Sequence, residues 1–486
     1  MDRSTKIFDN VISADVVKKA NKAKGKYIHK FGDDSEMIYK LSAEDNKVLF
    51  PLLGIKNIVT SETPEKINED KGIIIGNIRM GFGHYRISMA IASAAHSMGY
   101  TPYWFDLHAY SETTGGKVIK HLNELYSMGS RWSQKYPLFN KFYWEPLNSE
   151  GFKKISYNAM DQKMTELMTP VFKELPKDMP FVATHVWPTQ AAVHAGVKRV
   201  VNVIPDNWPM ALHLAEGSIH TVQTPSSFIG YKTLREMGGN SLLNPMPEGQ
   251  LFDVGHYIDH ELVVHIDADC ERRLSRIQQK KAKRILLTVG GAGAQKEIFS
   301  EIIKHLLPKI EQGEVALLIN VGDHLNVWDG LCKEIPELTA RSENYFDDWN
   351  KTCKFADELL DSDVQGIHVF YNKDIFAAVY SSNLLMRSAD VLVTKPSELA
   401  FYPVPKLMIK RVGGHEAWGA IRAAEVGDGT IECVSVKTTL QMLDLMCKDD
   451  ELLTKMCNNI VKANKIGVYD GAYKVVKLAI QNSGNQ

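Results

Sequence analysis

A run of β-branched residues that ends at a glycine and passes through a glycine-containing loop into a small-residue helix can fold in few ways. Ile73-Ile74-Ile75 leads to Gly76 without a polar residue, the pattern of a short strand buried on both faces of a parallel sheet. From Ile87 through Ile91, Ala94, Ala95 and Met98 the apolar positions recur at helical spacing, and Gly99 is placed to end that helix. Tyr103-Trp104-Phe105 follows as a second strand ending in Asp106. Strand, glycine loop, helix, strand is a βαβ unit, and it commits this part of the chain to a parallel sheet.

The pattern returns. After Phe181, Pro188 opens a helix through Ala191, Ala192 and Ala195, followed by the strand Val200-Val201-Asn202-Val203-Ile204 and then Pro205-Asp206. A second glycine-rich unit starts at Ile285-Leu286-Leu287-Thr288-Val289, passes through Gly290-Gly291-Ala292-Gly293-Ala294, and enters a helix near Gln295. Residues 315–321 and Val391-Leu392-Val393 supply later strands. Two βα arrays with one glycine-rich loop each predict an α/β protein of two doubly wound, Rossmann-like domains facing each other. The expected division is an N-terminal extension of unknown role over 1–70, a first Rossmann-like domain over 71–262 and a second over 263–486. The polar stretch 267–283 is the expected joint.

Composition limits what such a protein does. The 486 residues fit two or three domains at roughly 150 residues each. With 57 Lys+Arg against 58 Asp+Glu, the formal net charge of -1 supplies no global positive field, so a nucleic-acid partner is not expected. No apolar run approaches the ~20 residues of a membrane helix. The opening Met1-Asp2-Arg3-Ser4-Thr5-Lys6 lacks the apolar core of a secretory signal. The six cysteines, Cys270, Cys332, Cys353, Cys433, Cys447 and Cys457, form no Cys-x-x-Cys pair, so buried free thiols in a reducing cytosol are expected.

A backbone that must approach a phosphate needs residues without a Cβ, and the helix behind it supplies free N–H groups and partial positive charge. Both loops fit, although tight turns that bind nothing have the same look. In Gly81-Phe82-Gly83-His84, Arg86 takes the place of the third glycine of the dinucleotide fingerprint, while Asp106 ends the next strand where a ribose-binding acid belongs in NAD enzymes. An NAD(P)-dependent oxidoreductase is therefore a rival with an incomplete fingerprint. Asp267-Ala268-Asp269 and Asp361-Ser362-Asp363 have acid-x-acid spacing, but neither follows a strand suitably, and no metal is expected. His84 stands apart from the other histidines because it follows the glycine pair at the expected C-terminal edge of a parallel sheet, where α/β clefts form.

These segments together resemble a family. Gly81-Phe82-Gly83-His84 with its small-residue helix resembles the N-terminal signature of the inverting two-domain glycosyltransferases. That group includes the bacterial peptidoglycan GlcNAc-transferase, the monogalactosyldiacylglycerol synthases and the diacylglycerol glucosyltransferases. Ile204-Pro205-Asp206-Asn207, His213 and the strand near His220-Thr221-Val222 resemble its mid-domain strand-Asp-loop-His segment. Gly290 to Ala294 and Val321-Gly322-Asp323-His324 resemble its two donor-side loops. Ala389-Asp390-Val391-Leu392-Val393-Thr394-Lys395-Pro396-Ser397-Glu398 is the most specific match, followed by Gly413-Gly414-His415-Glu416-Ala417. The order is that of the family from about residue 72 to 430. The stretch from Pro396 to Glu398 is about four residues shorter than in the family, and His415 replaces the customary Gln.

The resemblance implies a GT-B fold with the active site in the cleft between the domains, and a metal-independent transfer of sugar from a UDP-sugar to an acceptor hydroxyl with inversion. UDP-sugar is then a substrate, and no cofactor is expected. It implies His84 as base, with Asp206 or His213 assisting near the acceptor, and Gly81 and Gly83 as an acceptor or phosphate loop. It implies donor contacts from Gly290, Gly291, Gly293, Gly322, Lys395, Glu398, His415 and Glu416, with Glu398 on the ribose. The chemistry suits these residue types: histidine titrates near neutral pH, and helix N-termini stabilise a departing diphosphate. A repurposed, non-catalytic nucleotide-sugar-binding protein is the alternative. A connection rich in Trp132, Tyr136, Phe139, Phe142, Tyr143 and Trp144, interleaved with Arg131, Lys135 and Lys141, raises two options. One is a peripheral cytoplasmic enzyme on the inner face of a membrane with a lipid acceptor. The other is a set of rings packed as ordinary core.

Overall fold

The computed structural model describes residues 2–65, 67–139, 142–143, 154–208, 213–234, 237, 241–290 and 295–481. The chain divides into two compact units. The first takes Met1–Met80, Ile87–Tyr257 and Asp470–Gln486, and the second takes Gly81–Arg86 and Ile258–Tyr469. Each is a Rossmann-like α/β array around a largely parallel sheet.

In the first unit a two-stranded hairpin, β1 (Lys6–Ile7) and β2 (Asn10–Val11), precedes the main sheet. That sheet contains β3 (Leu41–Asp45), β4 (Lys56–Thr60), β5 (Gly72–Asn77), β6 (Thr101–Asp106), β7 (Phe181–Ala183), β8 (Val200–Val203), β9 (Ile219–Val222) and β10 (Leu251–Asp253). Their order is β10-β9-β8-β7-β5-β6-β4-β3, parallel throughout except for the edge pair β3–β4. Every residue of β5 is buried, as expected of a strand covered on both faces. Aromatic packing fills one side: the rings of Phe105 and Phe172 meet edge-on at 4.8 Å, and Phe181 lies 5.9 Å from Phe172. Residues 1–70, which carried no periodic signal, hold the helix Ala14–Phe31 and widen the sheet by β3 and β4. The helix Gly471–Gln481 packs on β7 and β8, burying Ala472, Val475, Val476 and Ala479.

The second unit has six parallel strands, β11 (Lys283–Thr288), β12 (Val315–Asn320), β13 (Ser342–Phe346), β14 (Gly366–Tyr371), β15 (Val391–Thr394) and β16 (Lys406–Met408). Their order is β13-β14-β12-β11-β15-β16. The apolar runs expected as strands are strands, and β11, β12 and β15 are buried along their whole length. The polar stretch expected as the joint is instead the helix Ile266–Gln278 inside the second unit. Its charges are structural. Arg276 pairs with Asp390 at 2.7 Å, and Arg273 donates to the carbonyls of Ala389 and Met386 at 2.7 and 2.8 Å. A polar sequence pattern thus hides a helix whose buried charges, Asp269, Arg273 and Arg276, are met by partners inside the unit.

Both sheets are doubly wound. In the first, β6 and β7 flank β5, so the chain direction of winding reverses between β5 and β7; in the second, β12 and β15 flank β11, and the reversal lies between β11 and β15. At such a point the loops leaving neighbouring strands diverge and open a crevice at the C-terminal edge of the sheet. Among the described residues no helix is long and apolar enough to cross a membrane.

Candidate functional site

In the second unit the strand order puts such a crevice where β11 and β15 end. Thr288 closes β11; its hydroxyl is buried, 5% exposed as a residue, and has no hydrogen-bond partner among the described residues. Gly290 follows, so close to Lys395 that a Cβ there would stand 3.1 Å from the lysine Cε. Gly291 and Gly293 lie outside the described residues. Lys395, just past β15, is ion-paired with Glu416. The other oxygen of Glu416 accepts from the Val412 N–H at 2.7 Å and the Gly413 N–H at 3.3 Å. Burial opposes charge on Glu416, but Lys395 and then His415 outweigh it and hold the carboxyl below its ordinary value. Glu416 thereby closes the loop 412–416 and fixes Lys395 over Gly290. His415 folds over Gly413, whose added Cβ would meet the imidazole at 2.6 Å.

Glu398 begins the 3-10 turn Glu398–Phe401, with its side chain 16% exposed. It faces the segment Gly81–Arg86, which belongs to this same unit. Gly81 has φ +80°, a left-handed conformation that a side chain would strain. Gly83 opens the helix Gly83–Ser97, and a Cβ on it would come within 3.3 Å of a Glu398 carboxylate oxygen. Phe82 lies against Gly322, where a Cβ would stand 2.6 Å from the ring, and meets the His324 ring at 5.7 Å. His84, half-buried, is the second residue of that helix. Thus Gly81, Gly83, His84, Gly290, Gly322, Lys395, Glu398, His415 and Glu416 all belong to one unit, on five segments far apart in sequence.

Asp206 and His213 belong to the first unit. Asp206 follows β8 and is half-buried. His213 takes φ +57°, and its carbonyl accepts from Asn202 Nδ2 at 2.6 Å. Beside it stands a residue that the sequence reading passed over: His185, directly after β7 at the reversal point of the first sheet, with its ring 5.2 Å from that of His213. His185 caps the helix Val186–His194, its Nδ1 accepting from the Trp187 N–H at 3.1 Å, so in the neutral ring the proton sits on Nε2. Trp187 in turn donates from its indole to Asp161 at 2.9 Å. Asp161 is buried, and burial pushes its carboxyl up to about 7, with the indole hydrogen bond opposing. The placement of His185 at a strand end is the same signal that singled out His84. Asp161, inside a helix, gave none. Asp106, the acid required by the oxidoreductase reading, accepts from the His108 N–H at 2.9 Å and caps a turn.

The connection rich in aromatics is not ordinary core where it is described. Trp132 is 49% exposed, Tyr136 50%, Phe142 71% and Tyr143 61%. The rings touch one another: Phe139 lies 6.0 Å from Trp132 and 5.3 Å from Tyr143. Lys141 and Trp144 lie outside the described residues, as do the side chains of Arg131 and Lys135.

Two families match the chain: a domain of unknown function, DUF6937, over residues 6–233, and a second domain of unknown function, DUF6938, over residues 246–480. None of the curated proteins matches it. Among solved structures, the UDP-GlcNAc 2-epimerase of Neisseria meningitidis, with UDP-GlcNAc bound, is 12% identical over 84% of this chain and 100% of its own, at a TM-score of 0.43. A putative UDP-N-acetylglucosamine 2-epimerase of Listeria monocytogenes is 12% identical over 83% of this chain and 95% of its own, at 0.46. A glycosyltransferase of Rickettsia africae is 12% identical over 85% and 99%, at 0.41.

The buried acid gives a test. The folded value of Asp161, about 7, lies above its ordinary 3.8, so the neutral acid favours the folded state at low pH and that contribution is lost as pH rises from about 4 through 7. Asp161→Asn keeps the acceptor for Trp187 and removes the charge. Urea unfolding is expected to show the variant more stable than wild type at pH 8, by no more than ~4 kcal/mol, and the two alike near pH 4. The same stability difference at both pH values would mean that Asp161 does not titrate in this range.

Proposed function

We propose that the protein is a UDP-sugar-dependent glycosyltransferase whose donor site is the crevice at the β11/β15 reversal of the second unit. The observation that carries this reading is the convergence there of a cation, an open carboxylate and close-approach glycines. A nucleoside diphosphate needs positive charge and N–H groups for its phosphates, roles suited to Lys395 and to the Gly290 backbone beside it. Its ribose needs an acceptor for two hydroxyls, a role suited to the Glu398 carboxylate. Thr288 offers a further hydroxyl with no partner among the described residues.

In the proposed reaction the acceptor hydroxyl oxygen attacks the anomeric carbon, and its proton passes to His84. The bond from that carbon to the diphosphate oxygen breaks, its electron pair leaving with UDP, and the configuration inverts. Lys395 and the N–H groups meet the charge that grows on the leaving group, so these residues stand in the role often given to a metal.

Titration calorimetry with UDP tests the donor site. UDP is expected to bind, and Glu398→Ala to weaken it by about 1–3 kcal/mol, the worth of hydrogen bonds to a charged group. Unchanged affinity removes the ribose role from Glu398. His84→Ala is expected to leave UDP binding nearly intact and to lower turnover by about 10²–10⁴ on the true acceptor; normal turnover makes His84 structural.

The exposed rings favour a lipid-borne acceptor within this reading. Trp and Tyr partition to the membrane interface, and the sequence around them carries Arg131, Lys135 and Lys141, residue types that attract anionic head groups. The chain is expected to co-sediment with anionic vesicles at low salt, and a Trp132→Ser, Phe142→Ser double variant to remain in the supernatant. Equal pelleting of both proteins excludes these rings from membrane binding.

A further inference from the structure

The residue that breaks the dinucleotide fingerprint is a buried cation of the second unit. Arg86 is 2% exposed. Its Nη1 donates to the Val379 carbonyl at 3.3 Å and to the Asn383 side-chain oxygen. Its guanidinium lies 5.9 Å from the centre of the Tyr402 ring, and its Nε stands 3.5 Å from a Glu398 oxygen. The anchors are themselves anchored. Asn383 donates to Asp259 at 2.8 Å and the Tyr402 hydroxyl donates to the same Asp259 oxygen at 3.0 Å. Asn383, Asp259 and Tyr402 are each no more than 1% exposed.

This chain of contacts has one open end. Glu398 is its only member with substantial exposed surface, and its other oxygen lies beside Gly83. A carboxylate on a short turn has several rotamers, and each lets it point away from a ligand. A guanidinium held by a helix carbonyl and an amide, with its Nε 3.5 Å from one Glu398 oxygen, draws the carboxylate towards a single side. Lysine in place of Arg86 would bring a point charge without the planar fork, and so would not fix the same geometry.

We propose that Arg86 is a positioning residue that fixes the Glu398 carboxylate for the diol of a nucleotide ribose. The inference rests on the donor reading above. Arg86 acts on the ligand through Glu398 and in no other way.

A double-mutant cycle read by UDP affinity tests this, because only a residue acting through Glu398 loses its effect when Glu398 is gone. Arg86→Gln is expected to weaken UDP about tenfold in the wild-type background and to change affinity less than about twofold in Glu398→Gln. Uridine is expected to follow UDP, and inorganic diphosphate to be indifferent to both substitutions. Thermal unfolding identifies any variant that fails to fold. Arg86→Lys, which keeps the buried charge, then takes the place of Arg86→Gln in the same cycle with the same expected loss of coupling. Equal weakening in both backgrounds overturns the positioning role and leaves the donor reading standing. Absence of UDP binding to the wild-type chain overturns both.

Discussion

The parallel pairing of β11 with both β12 and β15 is the constraint from which the candidate site follows. Parallel neighbours cannot be joined by a tight turn, so each strand must hand the chain to a helix on one face or the other. The strands on the two sides of β11 are reached by winding in opposite senses, so the loops after β11 and β15 part company. The gap they leave is lined by backbone and by whatever side chains those two loops carry. Here they carry Gly290 and Lys395, which touch, and Glu398 a few residues on. Sheet order thus determines where such a gap opens, and the loop residues determine its chemistry.

Around that gap the second unit tolerates an unusual density of buried charge. Lys406 is fully buried, 2.8 Å from Asp428, and also donates to the carbonyls of Tyr402 and Val404 at 2.6 and 3.1 Å. Burial opposes the charge on each partner, and each partially restores the other's. Asp390 accepts from Arg276 and from the Arg284 N–H at 2.9 Å. Such pairs add little net stability compared with apolar residues of the same volume, but losing one partner leaves a stranded charge and costs several kcal/mol. They penalise any packing of the helices other than the one in which every charge is met.

Much of this architecture is legible in the sequence because fully buried parallel strands advertise themselves as unbroken apolar runs. Ile73-Ile74-Ile75, residues 315–320 and Val391-Leu392-Val393 could hardly be anything else. Glycines follow β5 and β11 as the pattern had them, at Gly81 and Gly290. What stayed hidden shares one cause: a polar residue in sequence does not say whether water or another residue satisfies it. The stretch 267–283 reads as a joint until Arg273 and Arg276 are seen to be buried. Arg86 reads as a missing glycine until its three anchors are seen. Asp161 gives no signal in the sequence, and its burial beneath the Trp187 indole appears only in the fold. Residues 1–70 gave little signal because β3 is an edge strand, β4 is half-buried, and the helix Ala14–Phe31 buries only Ala20 completely.

The helix Gly471–Gln481 has a consequence for how the protein is made. It covers β7 and β8 of the first unit, and the Gly471 N–H donates to the His256 carbonyl at 2.9 Å. Yet it is encoded after the whole of the second unit. During translation the first sheet emerges before this helix exists. Its strands β7 and β8 go without that cover until every residue of the second unit has left the ribosome. The first unit to be synthesised is therefore the last to be finished, and in the interval its exposed strands are a natural client for chaperones that shield nascent chains.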